Sequence, residues 1–107
     1  MIRRVILRPQ VPDDLHSIVS GLEKSSVSIA DRFVEAVFAA FDDLAEMPGK
    51  GSPKHFRLPR LAGLRSWWVP GFPKHLIYYR ATDEAIIIYA VIHGARDVRA
   101  VLKDRAP

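Results

Sequence analysis

Two segments in the first half of the chain carry hydrophobic residues at the three- and four-residue spacing of an amphipathic helix. The first begins near Pro12, which suits a helix N-terminus, and its apolar positions are Leu15, Ile18, Val19 and Leu22. The second begins near Ser28, its predicted N-cap, and its apolar positions are Ala30, Phe33, Val37, Ala40, Phe41 and Leu44. Only a few residues separate the two segments, so we predict an antiparallel helical hairpin.

Runs of β-branched, aromatic and other apolar residues predict strands in the rest of the chain. Residues 2–7 precede the hairpin and are predicted to form an outer or parallel strand. Pro48 and Gly49 end the second helix, after which residues 64–69, 76–81 and 85–92 form three runs with short connections, typical of an antiparallel meander. The last run is apolar at odd and even positions alike, which predicts a central strand covered on both faces.

These elements predict an α+β fold in one domain spanning residues 1–107, with a last helical turn over residues 97–102. The two helices cover one face of a four-stranded sheet, and no other segment is long enough to cover the second. We therefore expect an exposed interaction face near Trp67 or Trp68, which must point to opposite sides of their strand. Homodimerisation through this face, or partial cover by the loop that follows the second helix, is the alternative.

The composition supplies a core and excludes several kinds of chemistry. The chain is 49% apolar and has no cysteine, which excludes disulfides, thiol nucleophiles and cysteine-ligated metals and favours a cytoplasmic location. No apolar run approaches the length of about 18 residues that spans a bilayer, so we expect no membrane association. His16 and His55 stand apart from other ligand-type residues, and Gly49 and Gly51 do not form a phosphate-binding loop, so we predict no metal and no cofactor.

Charge is distributed unevenly along the chain. Between residues 47 and 82 there are seven basic residues and no acidic one, whereas the rest of the chain has a net charge of −3. Such a basic segment favours an acidic partner, either nucleic acid or an acidic polypeptide, and Trp68 beside it would suit base stacking. A charged face that only keeps the protein in solution is the alternative.

The order of elements and a set of short motifs resemble the RelE/ParE superfamily of toxins from type II toxin–antitoxin modules. The matching pieces extend over nearly the whole chain: Ala30-Asp31-Arg32-Phe33, Leu44-Ala45, Leu64-Arg65, Gly71-Phe72, Leu76-Ile77-Tyr78-Tyr79-Arg80 and Val91-Ile92-His93-Gly94-Ala95-Arg96-Asp97. The resemblance implies a growth-inhibiting toxin neutralised by a cognate antitoxin that contributes a helix and an added strand.

The superfamily contains ribosome-dependent messenger-RNA endonucleases and ParE-like, plasmid-stabilisation toxins that poison DNA gyrase. This chain departs from the nucleases, because the first meander strand reads Ser66-Trp67-Trp68-Val69 without lysine, and residues 98–107 contain neither Tyr nor His. The departures favour a ParE-like gyrase poison with no catalytic residues. The alternative is a metal-independent, ribosome-dependent endonuclease, whose catalytic residues would be Arg65, His75, Arg80, His93 and Arg96. A module that has lost toxicity and only binds its partner is a third reading.

For the ParE-like reading, we predict six residues that contact the antitoxin or the target: Arg65, Trp68, Lys74, Arg80, His93 and Arg96. His93 stands before a glycine, where it would serve either proton transfer or a structural hydrogen bond. Asp97 is predicted to cap the terminal helical turn or to form an ion pair with Arg80 or Arg65.

Overall fold

The computed structural model of the chain describes residues 2–105, so the ends of the predicted domain, at 1 and 107, lie outside the described residues. Over these residues the strands and α-helices follow in the order β1 (Arg4–Leu7), α1 (Val11–Glu23), α2 (Val27–Glu46), β2 (Ser52–Pro53), β3 (Arg65–Val69), β4 (Phe72–Ala81), β5 (Ala85–His93) and α3 (Val98–Lys103). The α+β fold is confirmed, with its helical hairpin, its meander and its short terminal helix. Within residues 2–105, no helix is both long and apolar enough to cross a membrane.

The strands form a single sheet in the order β1-β5-β4-β3-β2. β1 is parallel to β5, and the other neighbouring strands are antiparallel. β1 is thus both the outer and the parallel strand that the sequence suggested, and β5 lies inside the sheet. Five strands replace the predicted four, because the two-residue β2 has no apolar pattern to identify it. β4 begins at Phe72, four positions earlier than predicted, since Pro70 and Gly71 alone make the turn from β3, with Gly71 at a φ of +83°.

The N-cap of α2 is Ser26 and not Ser28. The Ser26 side chain accepts a hydrogen bond of 3.2 Å from the backbone N–H of Ile29, whereas Ser28 lies inside the helix. Both serines precede the apolar pattern, and only the backbone decides between them: Ser26 is extended, with a φ of −164°, as an N-cap requires.

One face of the sheet, here called the helical face, packs against α1 and α2. Phe33, Phe41 and Leu44 of α2 are fully or almost fully buried against strand residues such as Ile77 and Tyr79. These positions are the predicted apolar stripe of α2, so the sequence pattern identified this part of the core correctly.

The opposite face, here called the outer face, is also covered, and the expectation of a largely exposed face was wrong. Leu61 and Leu64, from the irregular segment before β3, and Leu102 of α3 are buried against sheet residues including Tyr78 and Tyr89. Three leucines on short or irregular segments thus cover a face for which the sequence offers no further long element. The alternative of partial cover by the loop after α2 is the one that the structure supports.

A β-bulge in β5 explains why its sequence is apolar throughout. Tyr78 pairs with Ala90 and Tyr79 pairs with Ile88, which leaves Tyr89 as an extra residue in β5. The bulge shifts the alternation by one position, so Ile88 and Val91 both pack on the helical face. The strand is covered on both faces, as predicted. Even-numbered residues face the helices before the bulge, and odd-numbered residues face them after it.

Candidate partner-binding surfaces

Arg80 lies on the outer face and is held by neighbouring groups. Its Nη2 donates a hydrogen bond of 2.7 Å to the Tyr89 hydroxyl, and its Nη1 donates one of 3.4 Å to the carbonyl oxygen of Ala62. The guanidinium also lies 5.5 Å from the centre of the Tyr89 ring. The loop at Gly63 comes close to the Arg80 stem. The arginine therefore ties the covering loop to the bulge residue.

Arg65 belongs to a different network, on the helical side of β3. Its Nη1 donates a hydrogen bond of 2.7 Å to the carbonyl oxygen of Gly51. The Gly51 N–H donates to the Tyr79 hydroxyl at 2.9 Å, and that hydroxyl donates to the carbonyl oxygen of Pro48 at 2.7 Å. Burial raises the pKa of Tyr79, although the Gly51 hydrogen bond and the Arg65 charge oppose this effect. The network anchors the turn after α2 to the sheet.

The adjacent tryptophans point to opposite faces, as predicted. Trp67 packs against the helical-face core, with the Lys50 ammonium 4.9 Å from the centre of its ring. Trp68 keeps 50% of its surface exposed. Lys74 is exposed where β4 departs from its regular pairing with β3. Trp68 and Lys74 are thus open to a partner, whereas Trp67 is part of the fold.

His75 and His93 face each other across β4 and β5, with ring centres 5.3 Å apart. Burial, and secondarily the positive charge of His93, lowers the pKa of His75, which also packs edge-on against Phe33 at 5.1 Å. The exposed His93 accepts a hydrogen bond of 3.0 Å at Nδ1 from the Ala95 N–H. This is the structural bond that the position before Gly94 suggested.

The side chains proposed for RNA cleavage do not meet at one place. His75 and His93 are in contact, but Arg65 and Arg80 extend from opposite faces of the sheet. Arg96 is exposed beyond the end of β5. Among residues 2–105, no group of three His, Asp or Glu side chains is arranged to hold a metal ion.

Asp97 caps α3, as one of its two predicted roles requires. Its Oδ1 accepts a hydrogen bond of 3.3 Å from the Ala100 N–H. The other role, an ion pair with Arg65 or Arg80, was wrong, because both arginines are turned to carbonyl or hydroxyl oxygens instead.

A buried ion pair between Asp14 and Arg105 was missed by the sequence analysis. Arg105 Nη2 lies 2.7 Å from Asp14 Oδ1, and Asp14 is only 7% exposed. Asp14 Oδ2 accepts from the Val91 N–H at 3.1 Å, and Arg105 Nη1 donates to the Tyr89 carbonyl oxygen at 3.3 Å. β1 ends at Leu7, opposite Ile88, so these side chains satisfy the edge of β5 beyond it. The available signal was the position of Asp14 beside Leu15, on the apolar stripe of α1.

Two open grooves flank the sheet. The larger, of about 650 Å³, lies between α2 and the β3–β4 turn and is lined by Ile29, Arg32, Glu35, Ala36, Ala39, Pro70, Gly71 and Phe72. The other, of about 440 Å³ and here called the basic cleft, is lined by Phe56, Arg57, Leu58, Asp97, Arg99, Ala100 and Lys103. None of the residues of the basic cleft belongs to the six predicted contact residues.

Comparisons with known proteins agree with the resemblance seen in the motifs. The chain matches a solved structure described as the chromosomal ParDE toxin–antitoxin system from P. aeruginosa, with 14% identity and a TM-score of 0.65, over 86% of this chain and 96% of that chain. At this identity the likeness shows the fold. No curated protein sequence is significantly similar. The profile of the family "ParE toxin of type II toxin-antitoxin system, parDE" matches residues 5–98. The chain therefore belongs to the ParE toxin family of type II toxin–antitoxin systems.

Proposed function

We propose that this ParE toxin inhibits growth in the cytoplasm by binding DNA gyrase and trapping it on cleaved DNA, without cleaving RNA itself. The observation that carries the proposal, beside family membership, is that Arg65 and Arg80 serve separate structural networks on opposite faces. Metal-independent RNA cleavage needs proton-transferring groups and cations that converge on one phosphate. Two arginines that cannot reach the same phosphate favour action by binding.

We propose further that a cognate antitoxin neutralises the toxin by covering its exposed aromatic and basic positions. Trp68 and Lys74 are open to solvent, and the segment between residues 47 and 82 has no acidic residue. An acidic antitoxin segment would be attracted to this charge and would bury the Trp68 ring. Arg65 and Arg80 have a smaller part in this contact than the sequence suggested, because each is held in place by hydrogen bonds within the toxin.

Two assays on one preparation, freed of antitoxin, test the mode of action. We expect the toxin to inhibit supercoiling by purified gyrase and to accumulate gyrase–DNA cleavage complexes, while programmed ribosomes keep their message intact. Cut message with unaffected gyrase would overturn the proposal in favour of the endonuclease. Failure of both assays, together with normal growth on induced expression, would indicate a module that only binds its partner.

The antitoxin contact is tested by Lys74→Glu and Trp68→Ala, measured by titration calorimetry at several salt concentrations. We expect both variants to weaken antitoxin binding, and only Lys74→Glu to flatten its salt dependence. Lys24→Glu is the matched control, since it makes the same charge change at an exposed position after α1. Equal weakening by Lys24→Glu would show that net charge alone explains the effect of Lys74→Glu on antitoxin binding, and would contradict the proposed surface.

A further inference from the structure

The basic cleft lies between two segments that are both rich in Lys and Arg. Residues 54–61 and 96–104 together contain six Lys or Arg and two Asp. One of these acids, Asp97, lies in the cleft and has an oxygen committed to the N-terminus of α3. The cleft therefore has an excess of positive charge that attracts anions.

The cations of the cleft have no carboxylate partner within the described part of the chain. Over residues 2–105, ion pairs within 4.0 Å join Asp43 to Lys50 and Asp14 to Arg105 only. Arg57, Arg99 and Lys103 are all exposed. Two of them are arginines, whose planar guanidinium matches phosphate oxygens in a bidentate manner. The lining is thus suited to a phosphate-bearing partner.

The two walls of the cleft are held together before any ligand arrives. Arg60 Nη2 donates a hydrogen bond of 2.6 Å to the carbonyl oxygen of Lys103, which joins the loop to the end of α3. Directly below, Leu61 of the loop and Leu102 of α3 are both fully buried in the outer-face core. A site assembled in advance avoids much of the ordering cost of binding.

An apolar side chain stands among these cations. Leu58 is 38% exposed and lies between Arg57 and the Pro59–Arg60 turn, and Phe56 forms part of the floor of the cleft. Many proteins that bind the minor groove of duplex DNA combine phosphate contacts by Arg and Lys with apolar side chains inserted into that groove. A leucine flanked by arginines on a surface loop fits that combination.

We propose that the basic cleft binds the phosphodiester backbone of duplex DNA, with Arg57, Arg99 and Lys103 on phosphates and Leu58 against the minor groove. The toxin then contacts DNA as well as protein when it acts on gyrase, an extension that rests on the proposed function. DNA contact itself needs no gyrase and is measurable with the toxin alone.

The test uses the full chain, freed of antitoxin, and a fluorescent 30-base-pair duplex, with anisotropy recorded from low to moderate salt. The Arg57→Gln/Arg99→Gln/Lys103→Gln variant should bind at least about tenfold more weakly, and the slope of log affinity against log salt should fall in magnitude by about 3. Leu58→Ser should weaken binding without changing the slope.

Arg4→Gln/Lys24→Gln/Arg32→Gln is the matched control, because it removes three exposed cations far from the cleft in sequence. Equal losses in the two triple variants would overturn the proposal, since net charge alone would then explain binding. Unchanged DNA binding in the cleft variant, with weaker antitoxin binding, would also overturn it and assign the surface to the antitoxin. Circular dichroism of each variant checks that it is folded.

The gyrase assay separates this inference from the proposed function. A toxin that traps gyrase but shows no cleft-dependent DNA binding keeps the proposed function and refutes the inference. A toxin that binds DNA through the cleft but leaves gyrase unaffected keeps the inference and refutes the proposed function.

Discussion

The helical and outer faces of the sheet are both closed, but by different means. On the helical face, two helices of 13 and 20 residues contribute a continuous apolar stripe. On the outer face, an irregular segment and a six-residue helix supply a few large anchors, chiefly Leu61, Leu64 and Leu102. The helices on the helical face distribute their stabilising contacts over many side chains. The segment and short helix on the outer face depend on a few, and their backbone and cationic side chains lie at the surface. The same sheet thus has one side for stability and one side available for contacts.

The largest effect is expected on the helical face. Phe33→Ala removes a fully buried ring that packs at 5.0 Å on Phe72 and also against His75, so we expect a loss of about 4 kcal/mol in the free energy of unfolding. Urea unfolding followed by circular dichroism measures it. Phe38→Ala, on the same helix but about half exposed, should lose far less, and equal losses would refute this assignment of the core.

The next effect tests the edge of β5 beyond β1, where Asp14 of α1 meets Arg105, which follows α3. Asp14→Ala leaves the partly buried Arg105 guanidinium without its carboxylate partner and the Val91 N–H without its acceptor, so we expect a loss of about 3 kcal/mol in urea unfolding. Asp13→Ala is the control, because Asp13 is exposed in the same helical turn. Similar small changes in both variants would show that the ion pair contributes little.

A smaller loss of stability is expected when a leucine that covers the outer face is truncated. Leu61→Ala should reduce the free energy of unfolding by about 2 kcal/mol, because a loop beside solvent collapses onto the cavity more readily than a helix does. Leu58→Ala, three positions away and partly exposed, should change it by less than about 1 kcal/mol. If Leu61→Ala cost as much as Phe33→Ala, the two faces would be equally well packed and the comparison would fail.

The smallest effect concerns pH. The pKa of His75 is lowered in the folded state, so the unfolded chain binds more protons than the folded protein as pH falls below the ordinary histidine pKa of 6.5. Stability is therefore complete above that pH and decreases as pH falls through the folded-state pKa. Urea unfolding at pH 7.5 and pH 5.5 should show a smaller decrease for His75→Gln than for the wild type. A His16→Gln control, at an exposed histidine, should keep the wild-type decrease.

The sequence was sufficient where one residue pattern determines one element. The spacing from Ala30 to Leu44 identified both α2 and its buried side, and the apolar run of β5 identified a central strand. The sequence was insufficient where burial or strand irregularity results from contacts between distant parts of the chain. The burial of Leu61 and Leu64 has no local periodicity, and the bulge at Tyr89 is visible only from the pairing with β4.

The candidate contact residues divide in the same manner. Trp68 was predictable as a surface aromatic because its neighbour Trp67 had to occupy the other side of the strand. The hydrogen bonds that hold Arg65 and Arg80 were not predictable, since their acceptors are a carbonyl oxygen after α2 and a hydroxyl on the neighbouring strand. The Asp14–Arg105 pair joins positions 91 residues apart, a distance over which sequence spacing carries no information.

That long-range pair also places one of the contacts at the sheet edge late in synthesis. Within residues 2–105, β1 pairs only with residues 85–88, and the Tyr89 carbonyl oxygen at the edge of β5 gains its side-chain donor only once Arg105 has been added. β1 therefore cannot join the sheet until the C-terminal strand has been synthesised, because the contacts that close the sheet are the most distant in sequence. A ParE toxin that folds in this order completes its sheet only after residue 105 has been synthesised.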